Sequence, residues 1–446
     1  MARVLAAAAM LAAATAPTAM LAAAAAPAAE RGSTVTISNV APRLDTEGRP
    51  VNAHSGNVVQ LGDTFFLYGE WYPEKYTVVG TTDVPRLSVY SSKDLVGGTP
   101  SLPPRPTLAL TRRSPRSPQV HWEFGGLLHN NTSPTWAETG LWPGAERDQG
   151  TWWCPWAVYS EARRKIILWW TATPGPCCDA YWGVAESSDG IHFTLISMNE
   201  TGADHLHLAS SQRRREKSML GDNGVVNPKD GNAVLIDDDG VGYIAYTAIT
   251  PFGPHPPNRD HLVAIERLTP DLKSSTKQQV GSLFHEDFVE GVMIFKRRGF
   301  YYIIFSSCCC ACRWGSGAVV HRARNISGPW ERQSRDVNCN ADAPICAAGV
   351  GFTKENRSTD INVHAQGLGL SVIGEQVLWH GERWLSAPDN PSNCTSLCNP
   401  PTGVCAEPAG YDKGADFTYW VPLEFGEGGE VGQFASFVDS FELTLG

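Results

Sequence analysis

The chain has 446 residues, enough for one large core or two domains. Its formal net charge of −10, with no basic run longer than three residues, such as Arg213-Arg214-Arg215, argues against a nucleic-acid partner, which needs a positive footprint. Fifteen Trp and twelve Tyr stand out instead, and flat aromatics with a polar edge suit sugar faces as well as cores.

Met1-Ala2-Arg3, an Ala/Leu/Met run and Ala26-Pro27-Ala28-Ala29 before Glu30 read as a secretory signal peptide over residues 1–29. Residues 30–446 then form one domain. The alternatives are an uncleaved anchor or an Ala/Pro-rich leader; Pro17 and Pro27 argue against a stable membrane helix. No later segment reaches about 18 continuous apolar residues, so no membrane span is predicted. Twelve cysteines fit an oxidising compartment. Cys308-Cys309-Cys310-Ala311-Cys312 reads as disulfide-forming rather than zinc-binding, because no second Cys-x-x-Cys pair accompanies it. Cys177 and Cys178 are candidate partners. Sequons at Asn130, Asn131, Asn199, Asn325, Asn356 and Asn393 agree with a secreted, extracellular glycoprotein.

Helical periodicity is scarce. Short β-rich runs bounded by Gly, Pro, Asp and Asn predict strands at 57–61, 64–69, 87–90, 166–170, 182–186, 233–236, 242–247, 261–265, 293–295, 301–305, 318–321 and 376–379. A weak repeat runs through them: strand, tight polar turn, aromatic strand, insertion, closing strand. It begins at Gln60–Gly69, Tyr159–Trp170, Ile236–Tyr246, the Glu290 hairpin and Leu378–Trp384. Five units of about 60–80 residues predict an all-β, five-bladed β-propeller, with a β-sandwich as the alternative. Ser101–Ser117 and Asn390–Lys413 read as insertions.

Phe288-Val289-Glu290-Gly291-Val292 carries the sharpest chemical signal. A carboxyl group at the start of an apolar strand should hold its proton to higher pH, as a general acid must. The competing reading is a solvated strand-edge Glu.

Taken together, these residues resemble glycoside hydrolase family 43, and most closely its exo-β-1,3-galactanase-like branch. The likeness rests on Val51–Val59 with Tyr68-Gly69-Glu70, the Asp-rich hairpin at 237–240, the Glu290–Lys296 hairpin, Gly381-Glu382-Arg383-Trp384, and Tyr419–Leu423. It covers roughly residues 45 to 430. The resemblance implies an axial sugar site and inverting, exo-type hydrolysis of a galactose-, arabinose- or xylose-containing glycan. Glu290 would be the acid, Asp230 its tuner (Asp222 is a weaker rival) and Gln366 the holder of water. The family's base Asp is replaced by His54-Ser55-Gly56-Asn57. His54, Asn57, Glu70 and His364 would bind sugar, with Trp71, Trp156 and Trp314 as stacking platforms. No cofactor is required, though a calcium or sodium ion on the axis near His364 is implied by resemblance. A monomer is expected. In blade two, the branch's Glu-Arg-Pro-Lys phrase is replaced by Trp153-Cys154-Pro155-Trp156, so a charged contact has become aromatic. That change and the missing base favour a rival class, a catalytically silent carbohydrate-binding propeller. A structural extracellular propeller with no sugar site is a third reading.

Overall fold

The computed structural model describes residues 32–73, 86–96, 122–128, 151–173, 181–200, 230–249, 260–287, 289–307, 313–339, 361–387, 412–434 and 436–445. The expected signal peptide, Asp222 and all the cysteines except Cys154 and Cys339 lie outside these residues, and with them the expected Cys308–Cys312 pairing.

Five antiparallel sheets follow one another along the chain. Blade I is β2 (His54–Leu61), β3 (Thr64–Trp71), β4 (Arg86–Ser92) and β5 (Glu123–Leu127). Blade II is β6 (Thr151–Ser160), β7 (Lys165–Thr173), β8 (Tyr181–Ser187) and β9 (Thr194–Glu200). Blade III is β10 (Asp230–Ile236), β11 (Gly242–Ile249) and β12 (Asp260–Leu268), with both β13 (Ser275–Gln279) and β14 (Phe284–Asp287) paired to β12. Blade IV is β15 (Val289–Arg297), β16 (Phe300–Ser307), β17 (Ala318–Ala323) and β18 (Glu331–Arg332). Blade V is β19 (Gln366–Ile373), β20 (Gln376–Arg383) and β21 (Phe417–Pro422). The first strands touch in a closed circuit, β2 to β6 to β10 to β15 to β19 and back to β2. The fold is a five-bladed β-propeller. Blade V is described with three strands. A separate ribbon of β1 (Thr34–Ser38) with β22 (Ser440–Thr444) joins the chain ends beside it.

Blade strands are covered on both faces, so they read as apolar runs rather than alternations. Tyr301–Phe305 is buried throughout. Trp169 and Trp182 meet edge to face at 5.7 Å, and Trp182 meets Tyr246 at 5.2 Å across the blade II–III seam. The β15–β16 turn places Arg298 at φ 47° and Gly299 at φ 76°, the two left-handed positions of a type I′ hairpin whose twist matches its strands.

Candidate active site

All five inner strands carry a bulge about two residues in: His54/Asn57, Trp153/Trp156, Asp230/Ala233, Glu290/Met293 and Gly367/Gly369. In blades I to IV the residue opening the bulge has positive φ: Ser55 55°, Cys154 48°, Gly231 85° and Gly291 61°. Each bulge re-aims the residue before it. The equivalent residues at one end of the inner strands are therefore His54, Trp153, Asp230, Glu290 and Gln366, one from each blade.

Glu290 and Gln366 meet. Gln366 Nε2 donates to Glu290 Oε2 at 3.2 Å, and Trp384 Nε1 donates to Gln366 Oε1 at 2.7 Å. An indole N–H can only donate. The Gln366 oxygen must face Trp384, which leaves its NH₂ facing Glu290. Gln366 is buried, and Ser306 Oγ ties blade IV to blade V beside it by donating to Gly367 O. Glu290 is half-buried, more open than the acid that an apolar strand start suggests. A second expectation also changes. An inverting pair stands roughly 6.5–9.5 Å apart to leave room for water, whereas Gln366 and Glu290 touch. An amide N–H and a carboxylate that face each other across a gap hydrogen-bond directly.

His54 and Glu70 stand opposite each other in the β2–β3 ladder, and both are buried. His54 Nδ1 lies 2.8 Å from Glu382 Oε2, and Ser55 N donates to Glu382 Oε1 at 2.7 Å. Burial works against the imidazolium, but the Glu382 charge and hydrogen bond outweigh it and raise the His54 pKa. Glu70 accepts from Tyr72 OH and, at 2.7 Å, from Cys154 N. Burial raises the Glu70 pKa, and these donors and the Lys413 charge offset only part of that rise. Lys413, buried in the 3₁₀ turn Lys413–Ala415, holds Nζ 4.2 Å from the centres of both the Tyr72 and Trp384 rings.

Trp314 meets the His364 ring edge to face at 5.2 Å, two residues before Gln366 in the chain. Trp71 is half-buried at the end of β3. The Asp230 backbone opens β10 at the ring, but its side chain lies outside what is described. Two expected sugar contacts prove to be blade joints. The Asn57 amide is taken at both ends by Ala157, donating to its O and accepting from its N at 2.8 Å each. Trp156 is buried in the core, with Nε1 donating to Val234 O at 2.9 Å. A bulge of two residues separates both from the ring, so they point into the seams. Among the described residues no three His, Cys, Asp or Glu side chains gather as a metal site. No step is assigned to an ion near His364.

Tyr72, Trp384, Glu382 and Lys413 belong to this cluster and were missed as site residues. Glu382 and Trp384 stood in the Gly381–Trp384 phrase used for resemblance. Lys413 follows a Pro/Gly/Cys-rich stretch with no period to place it.

The family model for glycosyl hydrolases family 43 matches residues 230–360, spanning blades III and IV. No curated protein sequence matches the chain. Among solved structures, an exo-β-1,3-galactanase from Clostridium thermocellum is 19% identical with a TM-score of 0.55, over 89% of this chain. The chain spans 64% of that protein's length. An exo-β-1,3-galactanase from Phanerochaete chrysosporium solved with galactose is 16% identical with a TM-score of 0.56, over 92% of this chain and 69% of that one. A family 43 β-1,3-galactosidase solved with galactodeoxynojirimycin is 15% identical with a TM-score of 0.56, over 90% of this chain and 99% of that one. The described residues form a five-bladed propeller, and the stretch 230–360 is similar to glycosyl hydrolases family 43. The fold is similar to those of these exo-β-1,3-galactanases.

Proposed function

We propose that this chain is a secreted, inverting, exo-acting glycoside hydrolase that cleaves galactose from a glycan. The observation that carries the reading is the line Trp384–Gln366–Glu290, in which one buried amide has its orientation fixed by an indole and its N–H groups turned toward a carboxyl group. Glu290 would protonate the leaving oxygen. Gln366 would place the attacking water, which a neutral amide can orient without taking its proton; the proton that this water loses as its oxygen bonds the anomeric carbon would pass to bulk solvent. Water and leaving oxygen lie on opposite faces of the sugar in an inverting reaction, so bound sugar must part Gln366 from Glu290. Galactose is preferred over arabinose or xylose on the strength of the galactanase and galactosidase folds that the propeller resembles.

A second reading is favoured by one observation. The direct Gln366–Glu290 bond, with no Asp in the blade-one phrase, suits a carbohydrate-binding propeller that does not cleave. Release of galactose from β-1,3-galactan and aryl β-galactosides, compared with Glu290→Gln, separates the two. The hydrolase reading expects turnover in the wild type, lost in the variant, with sugar binding kept. Binding without cleavage across a broad panel would establish the second reading.

A further inference from the structure

We infer that Trp153 is the sugar-stacking platform of the axial site, selecting a neutral, galactose-type pyranose over its uronic acid. The inference deepens the glycan reading above and rests on it. Blade II contributes Trp153 to the ring that His54, Asp230, Glu290 and Gln366 complete, by the register of its bulge. The next residue fixes its place: Cys154, at φ 48°, donates its N–H to Glu70 Oε1 at 2.7 Å, so the Trp153 backbone abuts the Glu70 carboxylate.

Its indole is unlike the others of its blade. Trp152, Trp156, Trp169, Trp170 and Trp182 are all buried, whereas Trp153 is only half-buried. Trp152 packs on Trp170 at 5.6 Å, Trp169 on Trp182 at 5.7 Å, and Trp156 is held by Val234 O. No ring or hydrogen-bonding partner of the Trp153 side chain is found among the described residues. An indole in register with a ring of polar side chains, and less covered than the other tryptophans of its blade, offers part of a flat apolar face beside hydrogen-bonding groups. That combination binds the C–H face of a pyranose while the polar groups read its hydroxyls. Glu70 and Glu290 line the same ring, and Arg86 is held over the Trp152 ring at 5.5 Å rather than over Trp153. A sugar carboxylate stacked there would stand beside the Glu70 and Glu290 carboxyl groups, while Lys413 is already engaged over the Tyr72 and Trp384 rings.

Calorimetric titration of the full chain with galactose, β-1,3-galactobiose and galacturonate tests this. Wild type should bind both neutral sugars and bind galacturonate more weakly. Trp153→Ala should weaken galactose roughly tenfold, and Trp153→Phe should stay within about threefold of wild type. Trp153→Leu, which keeps bulk without a flat ring, should behave like the Ala variant and stands in for it if that variant fails to fold. Unchanged affinity in the Ala or Leu variant, equal or tighter galacturonate binding, or no binding of either neutral sugar would overturn the platform. Binding that depends on Trp153 without any hydrolysis would remove the hydrolase reading and leave the platform standing.

Discussion

Orientation of one amide is the residue-scale question. Trp384 fixes the Gln366 oxygen at 2.7 Å, and nothing in an amide's own shape would choose between its two ends. Trp384→Phe keeps the ring over which Lys413 sits and removes only the N–H. If the chain turns over galactosides, kcat should fall roughly 10- to 100-fold with KM little changed, since water placement rather than sugar binding is lost. Equal kinetics would show that the indole only packs. His54 and Glu382 form a buried pair at 2.8 Å, and removing one partner of such a pair typically costs about 3–5 kcal/mol. The pH dependence has a definite sign. Because the folded pKa of His54 is raised above its ordinary 6.5, the pair's contribution is complete below that value and is lost as pH rises through the folded pKa. Urea unfolding of Glu382→Gln should therefore show its greatest deficit against wild type in mildly acid buffer and a smaller one in alkaline buffer. A deficit that grew with pH would contradict the assignment.

At the scale of elements, the bulges decide what could be read from sequence. The twelve expected strands all fall inside observed ones, because paired aromatic runs around tight turns carry strong local signals. Three of the inner-strand starts were placed too late, at 57, 233 and 293 instead of 54, 230 and 289. Gly56, Gly231 and Gly291 read as punctuation there, when they are the bulges themselves. The site lies in those clipped ends. Glu290 was legible from its apolar flanks, and Gln366 and His54 only by resemblance. Trp384 and Lys413 reach the ring by tertiary packing alone. Asn57 shows the same limit: a polar residue in the first-blade phrase looked like a sugar contact, but two residues past the bulge it joins seams. Asn57→Ala would strand the Ala157 N–H and C=O in a buried seam, at a cost of about 1–3 kcal/mol for each group. Thermal unfolding should fall accordingly while galactose affinity holds. A large loss of affinity at unchanged stability would return Asn57 to the site.

For the whole molecule, the issue is how a ring made from one chain is closed. Each blade buries its faces only against its neighbours, so a propeller is no more stable than the seam where its ends meet. Blade V is described with three strands, and the N-terminal segment reaches it through a side chain rather than a ladder. Asn39, fully buried after β1, donates to Trp420 O at 2.7 Å and to Val438 O at 3.1 Å, and accepts from Trp420 N at 3.1 Å. One amide thus mimics a strand partner for β21 and holds the β22 approach in place. Arg43 adds to this joint, donating to Thr418 O at 2.6 Å with its guanidinium 3.8 Å from the Trp420 ring centre. Asn39→Ala leaves those three backbone groups without the amide in a region where water has little access, a loss of roughly 2–5 kcal/mol. Because Glu290 and Gln366 sit on adjacent inner strands far along the chain from Asn39, the damage should appear in unfolding before it appears in the site. Denaturant curves of Asn39→Ala should shift to a lower midpoint, and galactose affinity measured well below that midpoint should match wild type. An unchanged midpoint would mean that the β1–β22 ribbon alone closes the ring.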